Sequence, residues 1–170
     1  MKIILFIILG IASIGSIVLI LLPNVKTVTV TKKIPFSKEE IWLKIRNLKN
    51  QTNWRKEVEE VKILSESNPE SWVERLKSGQ EIKLKTIQLE EMSYWEMESF
   101  DGSLFDTNWK GKLKSISEKE TEISFTESFQ MKSIVGKIVF YLFLNLENLI
   151  NQYIESLEIS LNQGETNEKK

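Results

Sequence analysis

Residues 34–55, IPFSKEEIWLKIRNLKNQTNWR, set the order in which this chain has to fold: a strand, a helical interruption, and only then the remaining strands. Pro35 and Phe36 hold the backbone extended beyond the strand that ends near Ile34. Ser37 and Glu40 match the S-x-x-E capping box, in which each side chain satisfies an orphan N–H of the first helical turn. Ile41, Ile45 and Leu48 follow at helical spacing with Trp42 beside them, and a second short helix closes on Trp54 and Arg55.

Strand patterns flank this segment. Residues 25–33 alternate Val and Thr and predict a first strand. Residues 57–65, 71–76 and 81–91 predict three more, separated by turn signals at Asn68 and Pro69 and at Ser78 and Gly79. In the last of these, Ile82, Leu84 and Thr86 share one face, whereas Ile87 and Leu89 share the other. The phase flips at Thr86 and Ile87, which predicts a bulge or a strong bend. A strand over 92–100 carries Trp95 and Met97 on one face, a turn at Asp101 and Gly102 follows, and 103–107 reads as a loop. Over 108–116, Trp109, Gly111 and Leu113 oppose Lys110, Lys112 and Lys114, and over 121–129 Ile123, Phe125 and Phe129 share a face. Such alternation is the mark of an antiparallel sheet with one buried and one wet face.

From 133 to 161 the period changes. Val135, Ile138, Leu142, Leu146, Leu149, Tyr153 and Leu157 recur in steps of three and four, which predicts one long amphipathic helix. Within it, residues 138–144, IVFYLFL, are apolar all round; a helix of that kind is buried on every side or touches lipid.

Composition removes several function classes. The chain has no histidine and no cysteine, which excludes Ser-His-Asp catalysis, thiolate chemistry, disulfides and His- or Cys-ligated metal sites. A net charge of -1 gives no electrostatic case for nucleic acid. No metal and no cofactor are expected. Residues 3–22 are uncharged and nearly all apolar, long enough to span a hydrocarbon core of roughly 30 Å and longer than a usual signal-peptide core. The expected organisation is a transmembrane anchor over 1–24, one domain over 25–162 and a disordered tail over 163–170. Lys26, Lys32, Lys33 and Lys38 on the C-terminal flank, against Lys2 on the other, lean towards a single-pass protein with its body on the cytoplasmic side.

In this order of elements the chain resembles the SRPBCC superfamily of START-like proteins, especially its polyketide cyclase/dehydrase-like branch. The resemblance rests on the segment from Ile34 to Trp42, the closure Asn53-Trp54-Arg55, the run Ser71-Trp72-Val73-Glu74, the stretch from Gly102 to Trp109, the strand from Thr121 to Glu127, and the terminal helix. It departs at Asp106-Thr107-Asn108, where relatives are often more glycine-rich. The resemblance implies an α+β helix-grip fold, a curved antiparallel sheet of about seven strands wrapped on a long C-terminal helix, following an N-terminal membrane helix. It also implies a deep cavity between sheet and helix for a lipid, polyketide or other hydrophobic molecule.

In that layout Trp72, Trp95 and Trp109 either wall the cavity or pack as ordinary core. Glu127 shares a face with Phe125 and Phe129, where an inward carboxylate has either a raised pKa or a partner. Glu74 shares a face with Trp72; both carboxylates either face the cavity or pair with lysines or Arg75 near a sheet edge. Arg55 either holds an anionic headgroup or is a solvated surface residue. Tyr141 offers a cavity hydroxyl and Leu142 apolar lining, while Trp42 and Trp54 anchor the short helices. The function expected is a membrane-anchored binding protein for a hydrophobic small molecule or lipid. The alternatives are a cyclase/dehydratase- or hydrolase-like enzyme using cavity carboxylates, or an interaction protein whose cavity is unused.

Overall fold

The computed structural model describes residues 21–168, with side chains up to residue 163. The expected anchor over 3–22 lies almost wholly outside the described residues. The first strand, β1 (Val25–Ile34), leads into helix α1 (Lys38–Arg46) and a 3-10 helix (Leu48–Asn53). Six strands follow: β2 (Val58–Ser65), β3 (Ser71–Leu76), β4 (Glu81–Glu90), β5 (Tyr94–Phe100), β6 (Phe105–Ser117) and β7 (Glu120–Met131). They form one sheet of seven strands in the order β1-β7-β6-β5-β4-β3-β2, antiparallel throughout. Consecutive strands from β2 to β7 are neighbours. The first strand instead joins the last, so the α1 segment has to cross one end of the sheet.

Local chemistry explains most of these elements. The capping box of α1 is complete: Ser37 N donates to Glu40 Oε2 at 2.8 Å, and Glu40 N donates to Ser37 Oγ at 3.2 Å. The helix buries Ile41, Trp42 and Ile45, the face its spacing marked out. The Val/Thr alternation of β1 has a specific use. Thr27, Thr29 and Thr31 pair hydroxyl to hydroxyl with Ser128, Thr126 and Ser124 of β7 at 2.8, 2.8 and 2.9 Å, while Val28 and Val30 pack against the core. In β4 the register slips between Thr86 and Gln88, at the place where the hydrophobic phase flips, and Ile87 is left exposed.

Three expectations need correcting. The 103–107 loop is shorter than expected, because β6 begins at Phe105 and pairs Phe105, Asp106 and Thr107 with Met131, Gln130 and Phe129. The terminal helix is two helices, α2 (Ile134–Phe143) and α3 (Leu146–Glu168), with residues 134–143 and 146–163 bent by 58°. Leu144 takes an extended conformation, and Asn145 starts the next helix, its Oδ1 accepting from Asn148 N at 3.0 Å. The step from Leu142 to Leu146 keeps helical spacing across the break, so periodicity could not reveal it. The backbone of α3 stays helical to Glu168, past the boundary expected at 163. Among the described residues, no single helix is long and apolar enough to cross a membrane.

The core lies between the inner face of the sheet and helices α1 and α3. Ile34, Ile41, Trp42, Trp72, Trp95 and Phe125 are its most completely buried large side chains, with Ile154 and Leu157 supplied by α3. A second cluster of Met131, Phe140 and Leu146, joined by Phe105 and Phe129, seats α2 on the ends of β6 and β7. Gly111 is where the sheet makes room for its indoles. It pairs with Trp95 across β5 and β6, and the Trp109 ring lies over its Cα, where a Cβ would stand. Gly111→Ala therefore forces the Trp109 ring to move, and we expect a loss of about 1–3 kcal/mol from overpacking. Urea unfolding measures this; an unchanged midpoint would show that the ring has somewhere else to go.

Candidate functional site

The 3-10 helix ends at Trp54 and turns Arg55 inward. Gln51, itself held by a bond from its Nε2 to Ile45 O at 3.0 Å, accepts from Arg55 Nη1 at 2.7 Å. The same Nη1 donates to Glu74 Oε1 at 2.9 Å, and Arg55 Nε donates to Glu57 at 2.8 Å. Glu74 on β3 is 3 % exposed and also accepts from Trp72 Nε1 at 3.2 Å. Burial acts to lower the guanidinium pKa, but Glu74 and Glu57 outweigh it and the net shift is upward. Arg55 is a fixed buried cation, with Glu74 as its counter-ion.

Glu127 faces this pair from β7, flanked by Val28 on β1 and Trp109 on β6. Among the described residues no side chain hydrogen-bonds to its carboxyl. Burial pushes its pKa up to about 8; Arg55 pulls it down and Glu74 pushes it further up. Its side chain nonetheless keeps accessible surface. At neutral pH it is mainly a carboxylic acid, able to donate a proton or a hydrogen bond.

Tyr153 of α3 closes the group. Its ring meets Trp54 at 5.2 Å, Phe125 at 5.6 Å and Trp109 at 6.1 Å between centroids, with the Arg55 guanidinium 5.6 Å from its own centroid. Burial raises the phenol pKa, Arg55 opposes that, and Glu74 and Glu57 add to it, so the hydroxyl stays neutral. Trp54 Nε1 is buried and has no hydrogen-bond partner among the described residues. A buried donor left unmade costs about 1–3 kcal/mol, a reason for it to meet a bound acceptor. The arrangement is one charge-balanced ion pair, a protonated carboxyl, a phenol and an unused indole N–H around aromatic walls.

The sequence candidates divide accordingly. Glu74 and Glu127 come together with Arg55, and Phe125 and Trp109 border them. Arg55 is neither a headgroup clamp at the rim nor a solvated residue but half of a buried pair. Arg75 instead faces outward to Glu59 and Glu60 at 3.3 and 2.7 Å. Trp72 and Trp95 have no accessible surface and pack on each other at 5.7 Å. Trp95 donates to Thr86 Oγ1 at 3.1 Å, with Arg46 stacked over its ring at 4.5 Å, so these two indoles are core. Trp42 ties α1 to Glu91 at 2.8 Å. Tyr141 and Leu142 are not at this site. The bend before α3 carries α2 away from it, so Leu142 is 70 % exposed and Tyr141 donates to Pro23 O at 3.1 Å. Sequence reasoning missed Tyr153 and the free N–H of Trp54. The helical spacing that placed Tyr153 on the inner face was visible, but its neighbours were not.

A surface groove of about 570 Å³ lies on the opposite face of the sheet, beside Tyr94, Lys112 and Glu122. It is open to water and lined mostly by charged and hydroxyl-bearing residues, so it desolvates an apolar ligand poorly, and the interior group is the better candidate.

Two measurements test this electrostatic reading. Between about pH 4.5 and about pH 8 the folded chain holds one proton more than the unfolded chain at Glu127. That contribution to stability is therefore complete below about pH 4.5 and falls as pH rises to about 8, by at most about 1.4 kcal/mol per unit. Urea unfolding at several pH values should show this slope in the native chain and a flatter one in Glu127→Gln; identical slopes would refute the assignment. Arg55→Met strands Glu74 as a buried charge and should cost about 3–5 kcal/mol, much of it recovered by adding Glu74→Leu.

No protein-family model and no curated protein matches the sequence. Solved structures do. A START superfamily protein from Mycobacterium smegmatis is 15% identical, covering 81% of this chain and 97% of its own, with a TM-score of 0.67. Norcoclaurine synthase from Thalictrum flavum, in complex with dopamine and hydroxybenzaldehyde, is 12% identical over 82% of this chain and 87% of its own, with a TM-score of 0.65. The Zhui aromatase/cyclase from a Streptomyces species is 9% identical over 82% and 94%, with a TM-score of 0.69. At these identities the likeness shows the fold alone: an α+β helix-grip architecture shared with START-like proteins, including an aromatase/cyclase.

Proposed function

We propose that this chain is a membrane-anchored binding protein for a hydrophobic small molecule or lipid, held between the sheet and α3. The carrying observation is Glu127, a carboxyl that is desolvated, accessible and without a hydrogen-bonding side chain among the described residues. With Trp54 Nε1 and the Tyr153 hydroxyl it offers donors to a carbonyl or hydroxyl on an otherwise apolar ligand. Trp109, Phe125 and Tyr153 supply flat apolar walls. The anchor rests on the apolar run 3–22, and the cytoplasmic placement of the body rests on the flanking lysines.

The same carboxyl favours a second reading. A group titrating near neutrality beside a fixed cation suits general acid catalysis, as in a cyclase- or hydrolase-like enzyme. Two of the fold neighbours carry enzyme names, an aromatase/cyclase and norcoclaurine synthase.

Native mass spectrometry of the full chain, extracted gently from its host's membranes, separates these readings. The binding reading expects a defined bound mass, with affinity about tenfold weaker in Glu127→Ala, the worth of one lost hydrogen bond. An apo mass that persists after incubation with host lipid extract would refute it. Unchanged binding by Glu127→Gln, with loss of turnover of the bound compound, would establish the enzyme.

A further inference from the structure

Helix α2 is amphipathic with its apolar side facing outward. Ile134, Val135, Ile138, Val139, Leu142 and Phe143 occupy one continuous half of its circumference. Ile134, Val135, Leu142 and Phe143 are 56, 58, 70 and 76 % exposed, and Ile138 and Val139 are half-buried. The inner half is Gly136, Lys137 and Phe140, packed on the chain through Phe105 and Phe129. The one charged residue of the helix, Lys137, thus lies on the protein side, where its Nζ donates to Leu22 O at 2.8 Å. Water meets only hydrocarbon across the outer half, the reverse of what a surface helix of a water-soluble domain presents.

Two hydrogen bonds say what covers it. Lys137 holds Leu22 O, and Tyr141 holds Pro23 O at 3.1 Å, so α2 is fastened to the end of the uncharged run 3–22. Leu21, 77 % exposed, stands beside that junction. A run of this length spans the hydrocarbon core and ends at its boundary, so Pro23 and α2 sit at the same height. We infer that the outer face of α2 is a membrane-contact surface, embedded in the headgroup–acyl boundary of the bilayer that holds residues 3–22. This inference rests on the anchor reading above. A short helix with an apolar face and an aromatic at its end is suited to that depth, and a bilayer requires no hydrogen-bonding rim around the patch.

The placement bears on ligand access. The inner side of α2 lays Phe140 on Phe129 at 5.6 Å, and Phe129 lies two residues along β7 from Glu127 on the same face. The helix that touches lipid therefore also covers the end of the interior nearest Glu127. A lipid-soluble ligand entering from the bilayer on this side has to part Phe140 from Phe129.

The absence of native cysteine makes the test direct. The full chain carries a single Leu142→Cys, Phe143→Cys or Glu118→Cys, the last on the exposed turn at the far end of β7. Each is labelled with an environment-sensitive fluorophore and reconstituted in vesicles of phosphatidylcholine and phosphatidylglycerol. Labels at 142 and 143 should shift to the blue and lose most of their emission to shallow nitroxide-bearing lipids, while the label at 118 responds only to aqueous iodide. If the chain floats with the vesicles but all three labels respond only to iodide, α2 lies in water and the inference is wrong. Labels at 142 and 143 shielded from both quenchers would mean that protein covers the face, and would overturn it equally. A chain that does not float at all would refute the anchor itself, and this inference with it.

Discussion

The buried ion pair of Arg55 and Glu74 is the interaction on which the interior depends. It ties the end of the 3-10 helix to β3 and draws Trp54 and Arg55 under α3. Desolvating two charges costs about as much as their attraction returns, so such a pair contributes position more than net stability. Its secondary bonds to Gln51, Glu57 and Trp72 satisfy the remaining donors and acceptors. The pair also sets the field felt by its neighbours. Arg55 lowers and Glu74 raises the affinity of both Glu127 and Tyr153 for their protons, leaving burial to decide that both stay neutral near pH 7.

Around that pair the aromatic residues have two roles. Trp72 and Trp95 form a closed stack whose indole N–H groups are satisfied by Glu74 and Thr86. Trp95 thereby bonds to the strand at the point where the β4 register slips. Trp109, Phe125, Tyr153 and Trp54 continue the chain of rings towards α3 and end at the unpartnered indole N–H. The unsatisfied polar atoms therefore lie at the α3 side of the interior and not along the stack.

The two terminal helices also divide their work. α3 completes the core with Ile150, Ile154 and Leu157. α2 contributes Phe140 to a smaller cluster and turns its hydrocarbon outward. The break at Leu144 and Asn145 permits this: a straight helix would have aligned the two segments and carried Leu142 along the same face as Leu146 and Ile150.

The sequence by itself determined the strands, the first two short helices, their order and their faces. Strand alternation and helical recurrence follow from backbone geometry alone, and the capping box at Ser37 and the slip at Thr86 are local events spelled out by adjacent residues. It therefore put Glu74 and Glu127 on the buried face of the sheet. It did not say what either would meet. Arg55 and Glu74 are 19 residues apart and join through the packing of a short helix on β3. Tyr153 reaches Trp54 only because α3 lies across the sheet at one particular angle. The bend at Asn145 escaped notice because apolar residues four apart fit a continuous helix and a broken one equally well. Periodicity records which side of an element is apolar. Depth, partners and protonation belong to distances between elements, and only the tertiary structure fixed those.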